Sequence, residues 1–377
     1  MTSPAAVAIA GVGAIACLGD DSASLYQNLC AGRSGLAPLR RFAPEQHLSG
    51  HAYEIDARDD AADGARNAGR WLARAIAEAI DTAGLDAAEL PDIPVLVGTG
   101  LRELRSAELW WTGRAELSAA DLHFGPALRK RFGFTEIHTL NNACSAALYA
   151  LGLGCDLVTS GESEAVIVAG VDTITESMFG LLARASGQGV DRIRPFDVDR
   201  RGVLMGDGAA AVVLRRGGPA RGWLRSVGLN CDAHHVTAPN RDGIAAAMRE
   251  AFERAHLEPR DIDVVFAHGT GTALNDRVEA EVLSDHFDLP NAPLVTAIKS
   301  MIGHTSGASG LHSVAVALET LRQGVVPPIV GLRKPAAEAS ALRLCRTATP
   351  ASDLRIAQVD AFGFGGVNAV ALLEAAS

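Results

Sequence analysis

The sequence predicts a layered α/β protein made of two related halves. Short apolar runs rich in β-branched residues alternate with alanine-rich stretches of helical pattern along the whole chain. This alternation is typical of strands and helices that pack in layers. The chain has 377 residues, of which 48% are hydrophobic and 21% charged, so it is long enough to bury the large core that such a fold needs.

The predicted strands are short apolar runs bounded by glycine, proline or polar residues. They cover residues 7–15, 95–98, 138–140, 165–169, 209–214, 264–268, 294–296, 356–361 and 369–373. The predicted helices are longer and carry apolar residues at helical spacing. They cover residues 65–83, 145–160, 243–256, 276–285 and 307–323.

The two halves carry a similar unit. Asn141-Asn142-Ala143-Cys144-Ser145 opens an apolar helix that ends near Gly161, and Gly303-His304-Thr305-Ser306-Gly307 opens a comparable helix that ends near Gly324. Each unit follows a short β-type run and places a reactive residue at the turn into the helix. Residues 216–220, Arg-Gly-Gly-Pro-Ala, are turn-forming and are the predicted junction between the halves.

Composition disfavours several functional classes. A net charge of -10 argues against nucleic acid and anionic membranes as partners. No apolar stretch of about 18 residues is free of polar interruption, and the N-terminus enters the first strand without a signal-peptide pattern, so we expect a cytoplasmic protein. The six cysteines show no CxxC spacing, so we expect neither disulfides nor a metal site.

Cys144 lies among small residues at the start of a predicted helix that has no charged residue before Asp156. Backbone N–H groups at a helix N-terminus stabilise an anion, so we expect the pKa of the Cys144 thiol to be lowered. The same amides could hold an oxyanion that develops on an acyl carbonyl. A buried structural cysteine is the alternative, and this segment alone leaves both interpretations open.

His268 ends an apolar strand and is followed by Gly269-Thr270-Gly271-Thr272. The glycines let the backbone approach a ligand closely, and the hydroxyl groups of Thr270 and Thr272 can fix the orientation of a substrate. A histidine at the end of a strand is more often structural than catalytic. The flanking glycines favour function here, because loops on a rigid scaffold carry function more often than packing.

Lys299 and His304 belong to one glycine-rich loop that leads into a predicted helix. Lys299 is one of only three lysines in the chain, and a lysine in such apolar surroundings needs a carboxylate or a hydrogen-bond network to stay charged. A histidine at this turn can donate a proton or hydrogen bond to a carbonyl oxygen. A phosphate-binding loop is disfavoured, because the GxxxxGK[ST] pattern is absent.

A glycine-rich turn, Phe362-Gly363-Phe364-Gly365-Gly366, follows the predicted strand 356–361. It can offer backbone N–H donors, and its aromatic rings can form an apolar wall. A nucleotide loop and a tight packing turn are the alternatives. The GxGxxG pattern of a dinucleotide loop is absent.

Taken in order, these motifs resemble the β-ketoacyl synthase family of the thiolase superfamily. The shared motifs are Ala143-Cys144-Ser145, His268-Gly269-Thr270-Gly271-Thr272, Lys299-Ser300 with Gly303-His304, Gly363-Phe364-Gly365-Gly366, Gly11-Val12-Gly13, Arg194-Pro195-Phe196-Asp197 and Met205-Gly206-Asp207-Gly208-Ala209. They are spread over essentially the whole chain. The resemblance implies a thiolase-like five-layer αβαβα sandwich, with residues 1–215 carrying the nucleophile and residues 216–377 carrying both histidines.

The resemblance also implies an acyltransferase that catalyses decarboxylative Claisen condensation. Cys144 would accept an acyl group from the phosphopantetheine thiol of an acyl carrier protein. His268 and His304 would promote loss of CO₂ from malonyl carrier protein, as in the elongating Cys-His-His type, and Lys299 would organise the site electrostatically. The backbone N–H groups of Cys144 and Phe364 would form the oxyanion hole.

Further implied contacts concern the substrate and its carrier. Thr270, Thr272, Phe362 and Gly365 would contact the substrate, which arrives on the phosphopantetheine arm, so no other cofactor and no metal is expected. Carrier proteins are acidic, and an acidic enzyme needs a local basic patch to receive one.

The basic patch has two candidates. Arg66, Arg70 and Arg74 recur at i, i+4 and i+8 on the predicted helix 65–83, which places them on one helix face. Arg129-Lys130-Arg131 is a second basic run. Solvated arginines without a partner are the alternative. The resemblance further implies a dimer, either of identical chains or with a chain-length-factor-like paralogue.

Two features differ from the pattern of bacterial fatty-acid enzymes. Ser313 stands downstream of His304 where those enzymes usually carry glutamate, so Lys299 needs another charge partner, for which Asp207 is the candidate. Ser145 after the nucleophile is more similar to polyketide synthases. We therefore expect a discrete (type II) synthase of polyketide or fatty-acid type. A ketosynthase-like scaffold or chain-length-determining subunit, and an acyltransferase or thioesterase on the same fold, remain the alternatives.

Overall fold

The computed structural model describes residues 6–55, 63–288 and 290–376. Its α-helices are α1 (Ser22–Cys30), α2 (Asn67–Ala83), α3 (Leu104–Trp111), α4 (Phe124–Phe132), α5 (Ala146–Ser160), α6 (Glu176–Ser186), α7 (Arg241–Ala255), α8 (Ala273–His286), α9 (Lys299–Ile302) and α10 (Ser309–Gln323). Its strands are β1 (Val7–Ala16), β2 (Ala37–Pro38), β3 (His51–Ala52), β4 (Val95–Gly98), β5 (Ile137–Leu140), β6 (Ala165–Asp172), β7 (Gly208–Arg215), β8 (Gly222–Cys231), β9 (Val264–Phe266), β10 (Leu294–Thr296), β11 (Val325–Val326), β12 (Arg343–Leu344), β13 (Thr349–Pro350), β14 (Ile356–Gly363) and β15 (Val367–Ala375).

The main sheet consists of two runs of strands with the same pattern. One run has the order β1-β7-β6-β4-β5 and the other has the order β8-β15-β14-β9-β10, extended by β12. In each run the first two pairings are antiparallel and the next two are parallel. Strands β1 and β8 join the two runs. The shared order supports the predicted relation between the halves, although the boundary at residue 215 stays a prediction.

Helices lie outside and between the two runs. Helix α2 packs on β1, β7 and β6 at one side, and α7 packs on β8 and β15 at the other side, next to α8. Helices α5 and α10 lie between the runs, because α5 contacts both β6 and β8 and α10 contacts both β7 and β14. The layers therefore follow the order αβαβα, as the resemblance implies.

Helix α5 in the middle layer and the turn before it resemble a membrane span in length and composition. The segment Ala143–Ser160 is long and apolar enough to cross a membrane, and it is the candidate found among the described helices. Asp156 lies inside this segment, so the expectation that no apolar stretch of this length is free of polar interruption is not contradicted. The segment is apolar because it lies in the middle layer, where a helix meets apolar surface on several sides and is hydrophobic nearly all round.

Strand β1 lies unusually close to helix α2. A Cβ atom on Gly11 would lie 2.0 Å from the carbonyl oxygen of Ala79, and one on Gly13 would lie 2.1 Å from that of Ala75. Real side chains cannot occupy this space, so both positions require glycine. The Gly11-Val12-Gly13 motif thus sets the distance between the first strand and the outer helix.

The sequence-based prediction missed one long strand. Strand β8 carries the polar residues Arg225, Ser226 and Asn230 and lacks a clear apolar run. It is stabilised by pairing with β15 along its whole length and with β1 at its start, which is tertiary information. Residues 216–220 form the short connection between β7 and β8. Helices α1, α3, α4 and α6 were also not predicted.

Candidate active site

Cys144 sits on a tight turn, Ala143–Ser145, between β5 and α5. Ala143 has a positive φ of 49°, and the hydroxyl group of Ser145 donates to the carbonyl oxygens of Asn142 (2.9 Å) and Val367 (3.0 Å). The second bond ties the turn to strand β15. The turn therefore holds the Cys144 sulfur at the interface between the two halves.

The imidazole of His304 contacts this sulfur directly. His304 Nε2 lies 3.0 Å from Cys144 Sγ. The backbone of His304 is fixed by a bond from its N–H to the carbonyl oxygen of Leu204 (2.9 Å) and by one that it accepts from Gly206 (3.0 Å). The predicted pairing of a cysteine from the first half with a histidine from the second half is thus present in the structure.

The expected lowering of the Cys144 pKa is wrong. Burial raises the pKa of the thiol to about 11, although the charge of Lys299 and the backbone N–H groups of Phe364 and Cys144 act in the opposite direction. The sequence indicates that Cys144 lies at the start of a helix, but it does not show how far folding shields the sulfur from water. This shielding has the largest effect on the pKa. The thiol at rest is therefore protonated and needs a base to become a nucleophile.

The two predicted histidines face each other beside the sulfur. The ring centroids of His268 and His304 lie 5.5 Å apart, with the rings at 86°. Both side chains are buried, and burial, with the charge of Lys299 in addition, lowers the pKa of each well below the usual value. Both imidazoles are therefore neutral at neutral pH, and His304, whose Nε2 faces the sulfur, can accept a proton.

Lys299 determines the tautomer of His268. Lys299 Nζ donates to the carbonyl oxygen of His268 at 2.5 Å and lies 3.4 Å from His268 Nδ1. An ammonium group can only donate, so Nδ1 is the acceptor and Nε2 carries the hydrogen. Burial lowers the pKa of Lys299, and the charge of Glu279 opposes that change.

The proposed partnership of Lys299 with Asp207 is wrong. Asp207 is fully buried and accepts two hydrogen bonds from the guanidinium of Arg41, together with the backbone N–H groups of Ile55 and Ile174. Glu279 is instead the acid whose charge acts on Lys299. It accepts the backbone N–H groups of His268 (2.5 Å) and Gly269 (2.8 Å).

The glycine-rich turn at the end of β14 lies close to the Cys144 turn. The backbone N–H group of Phe364 acts to lower the pKa of the Cys144 thiol, and the ring of Phe362 lies 5.8 Å from that of His268. Gly365 has a positive φ of 88° and donates its N–H to the carbonyl oxygen of Val236 (2.8 Å). The oxyanion hole formed by the backbone amides of Phe364 and Cys144 stays a prediction.

The threonines of the His268 loop are held mainly by their own loop and by helix α8. Thr270 Oγ1 and Thr272 Oγ1 lie 2.9 Å apart, and Thr272 Oγ1 accepts the backbone N–H of Asn275 as the N-cap of α8. Thr272 is partly exposed, whereas Thr270 is buried. Their contact with a substrate stays a prediction.

Residues 5–220 match the family model of the β-ketoacyl synthase N-terminal domain, and residues 221–333 match that of the C-terminal domain. The chain belongs to the β-ketoacyl synthase family.

Individual relatives agree with this family. The 3-oxoacyl-[acyl-carrier-protein] synthase 2 of Synechocystis sp. is 30% identical over 96% of this chain and 96% of its own length. The highly reducing polyketide synthase sor1 of Hypocrea jecorina is 35% identical over 63% of this chain, which spans only 10% of that relative. The solved ishigamide ketosynthase/chain length factor is 30% identical and covers 99% of this chain and 100% of its own, with a TM-score of 0.89. The predicted family and the thiolase-like fold are confirmed.

The arginines predicted to bind a carrier do not form one helical stripe. Arg66 lies before the start of α2 in a left-handed conformation, with φ of 63°, and its guanidinium pairs with Asp121 (2.9 Å). Arg70 donates to Asn67 on its own helix, and Arg74 lies 3.7 Å from Asp20. The expected i, i+4, i+8 arrangement on one helix is therefore wrong, because α2 begins at Asn67 and Arg66 lies before it.

The second basic run, Arg129-Lys130-Arg131, lies in the last turn of α4 and is exposed. Arg129 donates to the carbonyl oxygen of Thr135 (3.2 Å), and the guanidinium of Arg131 lies 5.3 Å from the ring centre of Phe132. Among the described residues, no group of three or more histidine, cysteine and acidic side chains is arranged to hold a metal ion.

Sequence reasoning missed three buried acids near the site: Asp172, Glu279 and Asp360. Asp172 accepts the hydroxyl of Thr99 (2.8 Å) and the backbone N–H groups of Gly100 (2.7 Å), Leu101 (2.8 Å) and Gly307 (2.6 Å). It thus ties the loop after β4 to the segment that follows His304. Burial raises its pKa to about 6. Its signal in the sequence is an acidic residue at the end of the apolar strand β6.

Proposed function

We propose that this family member is a β-ketoacyl-[acyl carrier protein] synthase that extends an acyl chain by decarboxylative Claisen condensation. The observation that carries the proposal is the 3.0 Å contact between Cys144 Sγ and His304 Nε2, and the backbone N–H groups of Cys144 and Phe364 are the proposed oxyanion donors. Nucleophile, base and oxyanion donors are the parts that acyl transfer requires.

The first step is the loading of Cys144. Neutral His304 accepts the thiol proton as the sulfur attacks the thioester carbonyl of an acyl carrier protein. A new S–C bond forms, and the amides of Cys144 and Phe364 stabilise the oxyanion. The bond to the phosphopantetheine sulfur then breaks, and His304 returns the proton to this leaving thiol.

The second step is the condensation. Malonyl carrier protein loses CO₂, and the electron pair of the broken C–C bond forms an enolate. The Nε2–H group of His268 donates to the enolate oxygen, since Lys299 occupies the other ring nitrogen. The nucleophilic carbon then attacks the Cys144 thioester, the S–C bond breaks, and a β-ketoacyl carrier protein leaves. In this scheme the phosphopantetheine arm carries the substrates, and Thr270, Thr272, Phe362 and Gly365 contact it.

Intact-protein mass spectrometry with acyl and malonyl carrier proteins tests this reaction. Acylation of Cys144 followed by a β-keto product on the carrier supports condensation, and Cys144→Ala should abolish both. Acylation followed by hydrolysis or transfer would favour a thioesterase or acyltransferase. Absence of acylation would favour the second candidate, a chain-length-determining subunit, which the similarity to the ishigamide ketosynthase/chain length factor keeps open.

The proposed carrier site combines Arg66 and Arg70 near the start of α2, with Arg129-Lys130-Arg131 as the second basic surface. Charge reversal at Arg66 and Arg70 should raise KM for carrier-bound substrate and leave the reaction with a small thioester unchanged. Arg260→Glu is the control, because Arg260 is exposed and pairs with the nearby Glu258. Equal KM values for the double variant and the control would contradict this site.

We also propose a cytoplasmic dimer that acts in polyketide or fatty-acid biosynthesis. Its partner is either an identical chain or a chain-length-factor-like paralogue. Purification from its native cells, followed by native mass spectrometry, distinguishes the two. A monomer under these conditions would contradict both.

A further inference from the structure

Three buried carboxyl groups and one ammonium group surround the His268 loop. Asp276 and Glu279 project from α8, Asp360 lies on β14 and Lys299 begins α9. Each of the four side chains is at most 2% exposed. The ammonium of Lys299 and the guanidinium of Arg200, which acts on Asp276, do not balance three carboxylates, and a surplus of buried negative charge is costly. At least one of the three carboxyl groups is therefore expected to remain protonated.

Hydrogen-bond donors are distributed unequally among the three acids. Glu279 accepts from the backbone of His268 and Gly269 and from Asn275 Nδ2 (3.0 Å). Asp276 accepts the backbone N–H groups of Phe196 (2.8 Å) and Gly271 (3.1 Å). Such donors stabilise the ionised form of a carboxyl group. Both acids are therefore better equipped than Asp360 to remain carboxylates, although burial raises the pKa of Asp276 to about 6 and that of Glu279 to about 7.

Asp360 has fewer hydrogen-bond donors than the other two acids. Its Oδ1 accepts one hydrogen bond, from Gln358 Nε2 at 2.8 Å. Its Oδ2 is buried and has no hydrogen-bond partner among the residues that the structure describes, and the same holds for Oε1 of Gln358. A carboxylate can only accept, so an ionised Asp360 would leave both of these oxygens unsatisfied in the core.

The two unsatisfied oxygens belong to neighbouring side chains. Gln358 and Asp360 are two residues apart on β14 and share one face of the strand. A proton on Asp360 Oδ2 converts this oxygen into a donor, and the free Oε1 of Gln358 is the acceptor that it lacks. We propose that Asp360 is protonated in the folded protein and forms a cyclic acid–amide pair with Gln358.

The charges around Asp360 agree with this assignment. Burial and the charge of Glu279 raise its pKa well above the usual value, more than Lys299 lowers it. The charged groups that act on it are Glu279 from α8 and Lys299 from α9. Its partner on the neighbouring strand β15 is the apolar Val370.

A neutral Asp360 has a consequence for the reaction, which rests on the proposed function. The ammonium of Lys299 favours the thiolate of Cys144 and, by the same charge, an enolate. An ionised Asp360 would offset this charge and disfavour both anions. Asp360 is thus a positioning residue that acts through Lys299 and does not touch the substrate.

Infrared difference spectroscopy of Asp360→Asn against the parent tests the proton directly. At neutral pH the parent should show the C=O stretch of a protonated carboxyl, and the variant should lack it. Asp263→Asn is the matched control, because Asp263 accepts the backbone N–H groups of Arg355 (2.7 Å) and Ile356 (2.9 Å), and its replacement should leave the band of the parent in place. Absence of the band at Asp360 would overturn the proposal.

Unfolding in urea provides a second readout. A raised pKa in the folded state means that the native protein holds a proton that the unfolded chain releases. The stability of the parent relative to Asp360→Asn should therefore fall as pH rises above about 4, by up to about tenfold in the unfolding constant per pH unit. A constant ratio across this range would overturn the proposal.

Activity separates this inference from the proposed function. Because asparagine is neutral and can form the same two bonds with Gln358, Asp360→Asn should keep kcat/KM close to that of the parent, whereas Asp360→Ala should lower it. A large loss in Asp360→Asn would mean that the residue works as a carboxylate, and would overturn the inference. A protein that shows the carboxyl band but does not condense substrates would refute only the proposed function.

Discussion

Replacement of His304 by alanine should make loading of Cys144 dependent on free thiolate. The pKa of Cys144, about 11, lies about four units above neutral pH, so only about 10⁻⁴ of the thiol is ionised at rest. At about 1.4 kcal/mol per unit, forming the anion costs about 5 kcal/mol. His304 Nε2, at 3.0 Å from the sulfur, avoids this cost by accepting the proton during attack.

We therefore expect His304→Ala to slow acylation by about 10²–10⁴, the usual contribution of a positioned general base. The lost rate should return as pH rises, about tenfold per unit, because hydroxide then supplies the thiolate. The assay is rapid-quench acylation by an acyl carrier protein, followed by mass spectrometry of the intact protein across a range of pH.

The control is His286→Gln, which removes a partly buried histidine of α8 that stacks on Phe252 at 5.6 Å. It should load at the rate of the parent. If His304→Ala also loads at that rate at neutral pH, or if its rate does not depend on pH, the assignment of His304 as the base is wrong.

Three further outcomes follow from the fold and the buried charges. Asp207→Asn leaves a buried guanidinium with a weakened partner and should lower the free energy of unfolding in urea by about 3–5 kcal/mol; a change below about 1 kcal/mol would contradict the buried pair. Gly13→Ala places a methyl group 2.1 Å from a backbone carbonyl of α2 and should prevent accumulation of soluble protein, whereas Gly125→Ala, with open space around it, should fold normally. His268 and His304 are buried with lowered pKa values, so the unfolded chain binds protons that the native protein does not, and stability should fall as pH decreases below about 6.5. A variant with asparagine at both positions should lose less stability over this range, and equal slopes in urea denaturation would contradict neutral histidines.

Much of the site could be predicted from residue types and their order. Cys144 and His268 stand where a strand gives way to a glycine-rich or small-residue turn, and His304 follows α9 in a glycine-rich turn. Such local signals survive in the sequence. The layered α/β class followed from the alternation of apolar runs and helical stretches. The family could be recognised because its motifs occur in the same order along the chain.

The tertiary structure alone decided the electrostatics of the site and the partners of its charges. The sequence places Cys144 at the start of a helix, but only the packing of both halves around it shows that burial outweighs the helix and raises the pKa. Asp207 is close to other motif residues in the sequence, but in the folded protein its carboxylate pairs with the guanidinium of Arg41.

Strand β8 and the buried acids Glu279 and Asp360 depend in the same way on segments that are far away in the sequence. Periodicity, turns and the residue types at turns are local properties, so the sequence by itself determined the elements with a clear local pattern and the reactive side chains of this protein. Desolvation and charge pairing are sums over neighbours brought together by folding, so the protonation state of each group was decided only by the fold.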